Sequence, residues 1–390
     1  MSPYLSASNG TGGINGVHGL DERNGYLGYN CSDYSTAIRP AISIKGDSVY
    51  LSGDGSSASP YEIDATPKQP TLYEKLLEDK TEKITRTDFS TVLTADNTKT
   101  LYTAEESYTE ISYMTECDDN GNCNTHTYTG DINETVYYFA GNATDNWVKF
   151  GGFYWRIIRT NADGGIRLLY HEKSTTATDA YIGTSAFNST SNDSKYVGYM
   201  YDSNGSNSTI KNTIDSWYAS NLTNYTKYLS TTAIYCNDRQ TSDGTNFGAY
   251  TRLDTNKTPT YDCTNTSDAF SVSNTNAKLT YPIGLMTADE ISFAGGVYGN
   301  NAPAYYYKNN AGNSSTGGLY WYTMSPFNLR VSYAGVFCIR ANSYPGYLDY
   351  MTVYDTLGVR PAISLKSCVK WSSGDGSADS PYEIVLDGGC

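Results

Sequence analysis

Residues 150–172 read FGGFYWRIIRTNADGGIRLLYHE, and this stretch decides the fold class. From Phe153 to Ile158 the side chains alternate, with Phe153, Trp155 and Ile157 on one face and Tyr154, Arg156 and Ile158 on the other, which is the period of a strand. Asn161–Gly165 is a run of turn residues and Ile166–Tyr170 resumes the apolar pattern, so a hairpin at the centre of the core is expected.

Helix signals lie on either side of this hairpin. Thr71 with Glu74 forms a capping box ahead of Leu72, Leu76 and Leu77. Ile210, Ile214, Trp217 and Tyr218 fall at helical spacing behind Ser208 or Thr209, and Thr287 with Glu290 opens a third helix that Gly295–Gly296 would end. Residues 85–130 are polar and Thr-rich without helical period, and are expected as loops and edge strands. From Tyr305 onward come short aromatic strands, YYYKN, GLYWYTMSP, GVFCIR and GVRPAISL. The sum is an α+β protein: a mixed or antiparallel sheet with two or three short helices, rich in loops. His171 follows a strand end and is expected at the surface.

A repeat sets the organisation. Arg39–Ile63 aligns without a gap to Arg360–Ile384, with 16 identities in 25 positions at a constant offset of 321, and Met1-Ser2-Pro3 matches Met324-Ser325-Pro326. So long a period indicates domain duplication, because solenoid and propeller repeats are far shorter. Residues 1–64 then correspond to the closing part of one domain, 65–70 to a linker and 71–390 to a complete second domain. Met1 reads as an internal position of a longer array, the alternative being a true start whose arm completes another fold. The opening residues lack the apolar run of a secretory signal.

Composition narrows the function classes. The 390 residues include 38 Tyr and 36 Gly, only 17% are charged, and 27 basic against 41 acidic residues give a net charge of −14. With no basic stripe, nucleic acid is not an expected partner. No stretch approaches the roughly 20 apolar residues that span a bilayer, so no membrane span is expected in this sequence. Eight cysteines without C-x-x-C spacing point to disulfides in an oxidising, extracellular or cell-surface setting. Cys117 with Cys123, Cys236 with Cys263 and Cys368 with Cys390 bracket local excursions and are the expected pairs. Cys31 and Cys338 could pair with each other, stay free or cross-link neighbouring molecules.

The islands VKFGGFYWRIIRTNADGGIRLLY, YCNDR, LTYPIGLMTADEISFAGGVYG, YWYTMSP, GVRPAISLK and GDGSADSPYEI, in this order, resemble a family of repetitive cell-surface proteins of Gram-positive bacteria. The resemblance covers most of 71–390, and its tail recurs in 1–64. It implies a C-type-lectin-like domain in which Trp321 and Arg360 are core positions, used as a surface display or adhesion module. One branch of that fold is an oxidase with a cysteine pair; the matching stretch here offers only Cys338.

Between Met324 and Gly358 the two copies diverge while their flanks stay alike. This stretch carries Asn328, Arg330, Tyr333, Asn342, Tyr344, Tyr347, Asp349, Tyr350 and Tyr354, the Tyr/Asn chemistry of adaptable contact surfaces, and these are the candidates for ligand or subunit contact. Asp118, Asn120 and Asn122 alternate in CDDNGNC and could offer oxygens to calcium, but the glycine and distal glutamate of a calcium loop are missing, so a stapled hairpin tip is the better reading and no metal is expected. Asp54 and Asp375 sit in Gly-Asp-Gly turns that backbone geometry explains. Only His18, His126 and His171 are present, each far in sequence from a nucleophile, and Asp289-Glu290 reads as a helix-start charge. The expectation is a non-catalytic surface protein without cofactor, assembling with other copies of itself into a filament or array. The rival is a lectin or adhesin for carbohydrate or host protein.

Overall fold

The computed structural model describes most of residues 69–390, apart from 94–95, 118–122, 179, 202–205, 242, 303–305, 308–319, 331–332, 341–345 and 387–389; within 1–68 it describes 3–5, 15–20, 27–31, 41, 43 and 49–64, with backbone alone for 3–31, 49, 64, 96–97, 108–117 and 123–132. The chain divides into two compact units, Met1–Lys68 and Gln69–Cys390.

The first unit contains a three-stranded antiparallel sheet of β1 (Pro3–Leu5), β2 (Asn15–Leu20) and β3 (Leu27–Cys31), and a hairpin of β4 (Val49–Ser52) and β5 (Glu62–Asp64).

The second unit opens with α1 (Leu72–Asp79). Its N-cap is Thr71, whose hydroxyl accepts from the Glu74 N–H at 3.1 Å while the Glu74 carboxylate takes the Thr71 N–H at 2.7 Å. Then follow β6 (Glu82–Thr85), β7 (Thr100–Cys117), β8 (Cys123–Tyr138), β9 (Trp147–Phe150), β10 (Phe153–Thr160), β11 (Ile166–Glu172), β12 (Thr184–Ser185), α2 (Thr209–Asn221, capped by Ser208), β13 (Ile283–Leu285) and α3 (Ala288–Phe293, capped by the Thr287–Glu290 box). The chain closes with β14 (Trp321–Arg330), β15 (Tyr333–Ile339), β16 (Leu348–Thr352), β17 (Leu357–Gly358), β18 (Pro361–Leu365), β19 (Trp371–Ser373) and β20 (Tyr382–Ile384). It is a mixed α+β unit, mostly sheet with a few short helices.

The expected central hairpin is β10–β11. It occupies the middle of a ten-stranded sheet whose main path runs β13-β18-β11-β10-β9-β20-β19, with β8 branching from β10, β7 paired to β8 and β6 to β7. Most pairs are antiparallel; β9 with β20 and β6 with β7 are parallel. Both faces of β10 are buried, Trp155 at 0% exposure and Arg156 at 6%. A second sheet runs β12-β17-β14-β15-β16. Trp321 and Arg360 are both in the core, the guanidinium lying 5.0 Å from the indole and donating to the carbonyls of Tyr170 and Tyr307 at 3.0 and 2.6 Å.

Three expectations need correction. Residues 100–117 and 123–138 pair along their length as two long strands, not loops and edge strands. Their register runs unbroken from Tyr102 opposite Tyr138 to Cys117 opposite Cys123. A ribbon with polar residues on both faces leaves no apolar period in the sequence, although Thr, Tyr and Ile favour extended backbone. Tyr306 and Tyr307 of the expected YYYKN strand lie in a turn, with both rings buried. His171 is 7% exposed and sits edge-on to Trp147 with ring centroids 4.4 Å apart, so it belongs to the interior.

Among the described residues two disulfides close loops, Cys236–Cys263 and Cys368–Cys390. Cys338 is free and buried. The side chains of Cys31, Cys117 and Cys123 lie outside the described residues. The ends of the second unit meet: Thr71 bridges Lys370 antiparallel, the Leu72 N–H donates to the Val369 carbonyl at 2.8 Å, and the Trp371 N–H donates to the Pro70 carbonyl at 3.0 Å.

Candidate functional site

The divergent stretch is carried by β14, β15 and β16. Tight pairing sets Arg330 opposite Tyr333 at the β14–β15 turn, and Phe337 opposite Tyr350 on the edge strand β16. Tyr350 stacks flat on Phe327, centroids 4.1 Å apart and planes 4° from parallel, with Phe337 edge-on to Phe327 at 4.9 Å. This aromatic base fixes the Tyr350 ring while part of it stays exposed. Burial, then the Tyr333 hydroxyl beside it, raise its pKa, which keeps the phenol a neutral donor and acceptor. Arg330 is exposed, Tyr333 and Tyr347 are half-buried, and Tyr354 is 53% exposed.

Two of the nine candidates are internal. Asn328 is 1% exposed; it stands opposite Gly335, and an added Cβ there would meet its Oδ1 at 3.2 Å. Asp349, at 7%, is paired with Arg340, whose guanidinium also lies 5.4 and 5.6 Å from the rings of Tyr320 and Tyr347. These residues hold the scaffold rather than face outward. Asn342 and Tyr344, and the hairpin-tip residues Asp118, Asn120 and Asn122, lie outside the described residues.

Sequence spacing did not reveal a group of charges around α3. A small cleft is lined in part by Arg159, Arg167, Arg252, Asp238, Asp289 and Glu290. Glu290 closes the helix cap and also takes two buried arginines on one oxygen: Oε1 is 2.8 Å from Arg167 Nε and 3.1 Å from Arg159 Nε. Arg159 reaches Glu106 at 2.9 Å, joining the long hairpin to the network. Burial works against its charge, but Glu106 and Glu290 outweigh this and raise its pKa. Asp289 grips Arg252 through two bonds of 2.9 Å, and Asp238 takes the same guanidinium at 2.7 Å. Burial raises the pKa of Asp238 despite that partner.

The Asp289 and Glu290 carboxylates are filled by guanidinium groups and backbone N–H donors, while Asp238 rests on Arg252. Chemically, the arrangement locks α3, β10, β11 and β7 together. One signal was readable: Arg156, Arg159 and Arg167 stand inside apolar strand runs, where a charge needs a buried partner.

Comparison with protein-family models, with curated proteins and with solved structures returned no match for this chain. Among the described residues no group of three or more His, Cys, Asp or Glu is placed to hold a metal ion, and no helix is long and apolar enough to cross a membrane. The Asp54 and Asp375 carboxylates each accept a backbone N–H two residues on, from Ser56 and Ser377, both at 2.9 Å, which accounts for them as turn residues.

Proposed function

We propose that this chain is a non-catalytic extracellular surface protein, built of tandem C-type-lectin-like modules that join into a filament or cell-surface array. The observation that carries the reading is the closing hairpin, which occurs twice, 321 residues apart, with the same register and the same turn hydrogen bonds. Two disulfides support an oxidising compartment. The arginine-paired Asp289 and Glu290 of α3 speak for a structural joint. Electron microscopy and intact mass of native material test the reading. Filaments, or a polypeptide well above 42.7 kDa, are expected; dispersed single modules of this mass would overturn it.

A second reading is an adhesin or lectin acting through the β14–β16 sheet. It is favoured by the exposed Arg330 beside half-buried Tyr333 and the preorganised Tyr350 ring. Rigid aromatic contacts of this kind lose little entropy on binding. Glycan-array binding that drops at least about tenfold in Tyr350→Ala, with assembly intact, is its expected signature.

A further inference from the structure

Hairpins β4–β5 and β19–β20 share register and turn hydrogen bonds, although Glu62 takes the Ser52 hydroxyl at 2.6 Å where Glu383 takes Lys149. Tyr50 opposite Ile63 and Ser52 opposite Glu62 reappear as Trp371 opposite Ile384 and Ser373 opposite Glu383. The N–H groups of Asp54 and Gly55 donate to the Ser59 carbonyl at 2.9 and 3.0 Å, as those of Asp375 and Gly376 do to Ser380 at 2.9 and 3.0 Å. Even the aromatic tie is kept: the Tyr50 hydroxyl donates to the Gly53 carbonyl at 2.6 Å and the Trp371 indole N–H to that of Gly374 at 3.0 Å.

What differs is the cover. Tyr382 is 0% exposed, and its hydroxyl donates to Asp79 at the end of α1 at 2.9 Å. The Gly376 carbonyl accepts the Trp147 N–H at 2.9 Å, Glu383 pairs with Lys149 at 2.9 Å, and β20 runs parallel to β9. In the first hairpin the counterpart of Tyr382 is Tyr61, 67% exposed, and Gly55 is exposed where Gly376 is buried. Tyr50 and Leu51 are each 59% exposed. The largest differences fall on the positions that β9 and α1 cover in the second unit.

We propose that hairpin 49–64 is a docking element whose partner is a strand of the β9 kind, Trp-Val-Lys-Phe in pattern, carried with its first helix by another module of this type whose own closing hairpin is absent. The incoming strand runs parallel to β5, along the edge that no described strand occupies. Its first N–H meets the Gly55 carbonyl, its lysine meets Glu62, and the acidic end of its helix takes the Tyr61 hydroxyl. The chain's own β9 is filled by β20, so the strand comes from elsewhere. The tandem-module reading supplies the source of that second module.

The test extends the full chain. Residues 71–323 are added ahead of Met1, the position equivalent to Met324, so that the added segment lacks a closing hairpin. Amide exchange at residues 62–64 is expected to slow by about 100-fold relative to the unextended chain, the mark of a strand entering a folded unit. Tyr61→Ala in the extended chain is expected to reverse at least tenfold of that slowing while exchange within 69–390 stays unchanged. A control carrying all of 71–390 ahead of Met1, its β9 already filled, is expected to leave residues 62–64 as they were. Unchanged exchange in the first extension, an added segment that stays unfolded, or equal slowing in the control would each overturn the proposal. A native polypeptide that proves short and unassembled sinks the array reading and leaves this test intact.

Discussion

Glu290 holds two guanidinium groups with one carboxylate oxygen at 2% exposure, so its charge cannot be dropped in isolation. Glu290→Gln leaves Arg167 without its carboxylate and Arg159 with Glu106 alone, and urea denaturation is expected to show a loss of about 3–5 kcal/mol, the usual cost of breaking a buried pair from one side. His171 gives a pH dependence. Burial first, then the guanidiniums of Arg360 and Arg156, hold its pKa down to about 3 from the ordinary 6.5. The unfolded chain therefore binds the proton that the folded chain refuses between these values, and stability rises with pH through that window and levels off above it. Between pH 6.5 and 5, before carboxylates titrate, the wild-type denaturation free energy is expected to fall by up to about 1.4 kcal/mol per pH unit, a slope that His171→Gln removes. Equal slopes in both proteins would contradict the burial of this ring.

At the scale of elements, β19–β20 depends on backbone that only glycine adopts easily. Gly374 has φ +88°, and a Cβ there would lie 1.9 Å from the Pro381 carbonyl oxygen. Gly374→Ala is expected to cost about 1–3 kcal/mol and to loosen β20 from β9, read as faster amide exchange at Tyr382–Ile384. The elements also divide by how far the sequence exposed them. Capping boxes at Thr71 and Thr287 are local, so three residues suffice to place a helix start, and the Phe153–Tyr170 hairpin carries its own period and turn. The 100–138 ribbon was hidden because it is polar on both faces. Glu290 was read as a cap, which it is, but its second task joins positions 106, 159 and 167, and no local window contains them. Among the surface candidates, Asn328 and Asp349 went inside for reasons equally remote: an opposing Gly335 leaves room over the first, and Arg340 recruits the second.

For the whole second unit, the sulfur bridges matter most to the loops they close. Each spans 22 or 27 residues, which chain-entropy reasoning values at about 3–3.5 kcal/mol apiece. Cys368–Cys390 has a mechanical side as well. Tension applied between Gln69 and Cys390 enters through Pro70–Leu72, crosses to Val369–Trp371 and leaves by Cys368 straight into Cys390. The bridge shunts the load past the terminal hairpin, which is never stretched along its own contour. In single-molecule pulling, replacing both Cys368 and Cys390 by Ser is expected to add an extension of about 75 Å from the freed segment; identical traces for the two proteins would show that force takes another route. A module wired this way can sit in a strained thread while the strands that seal its core stay slack.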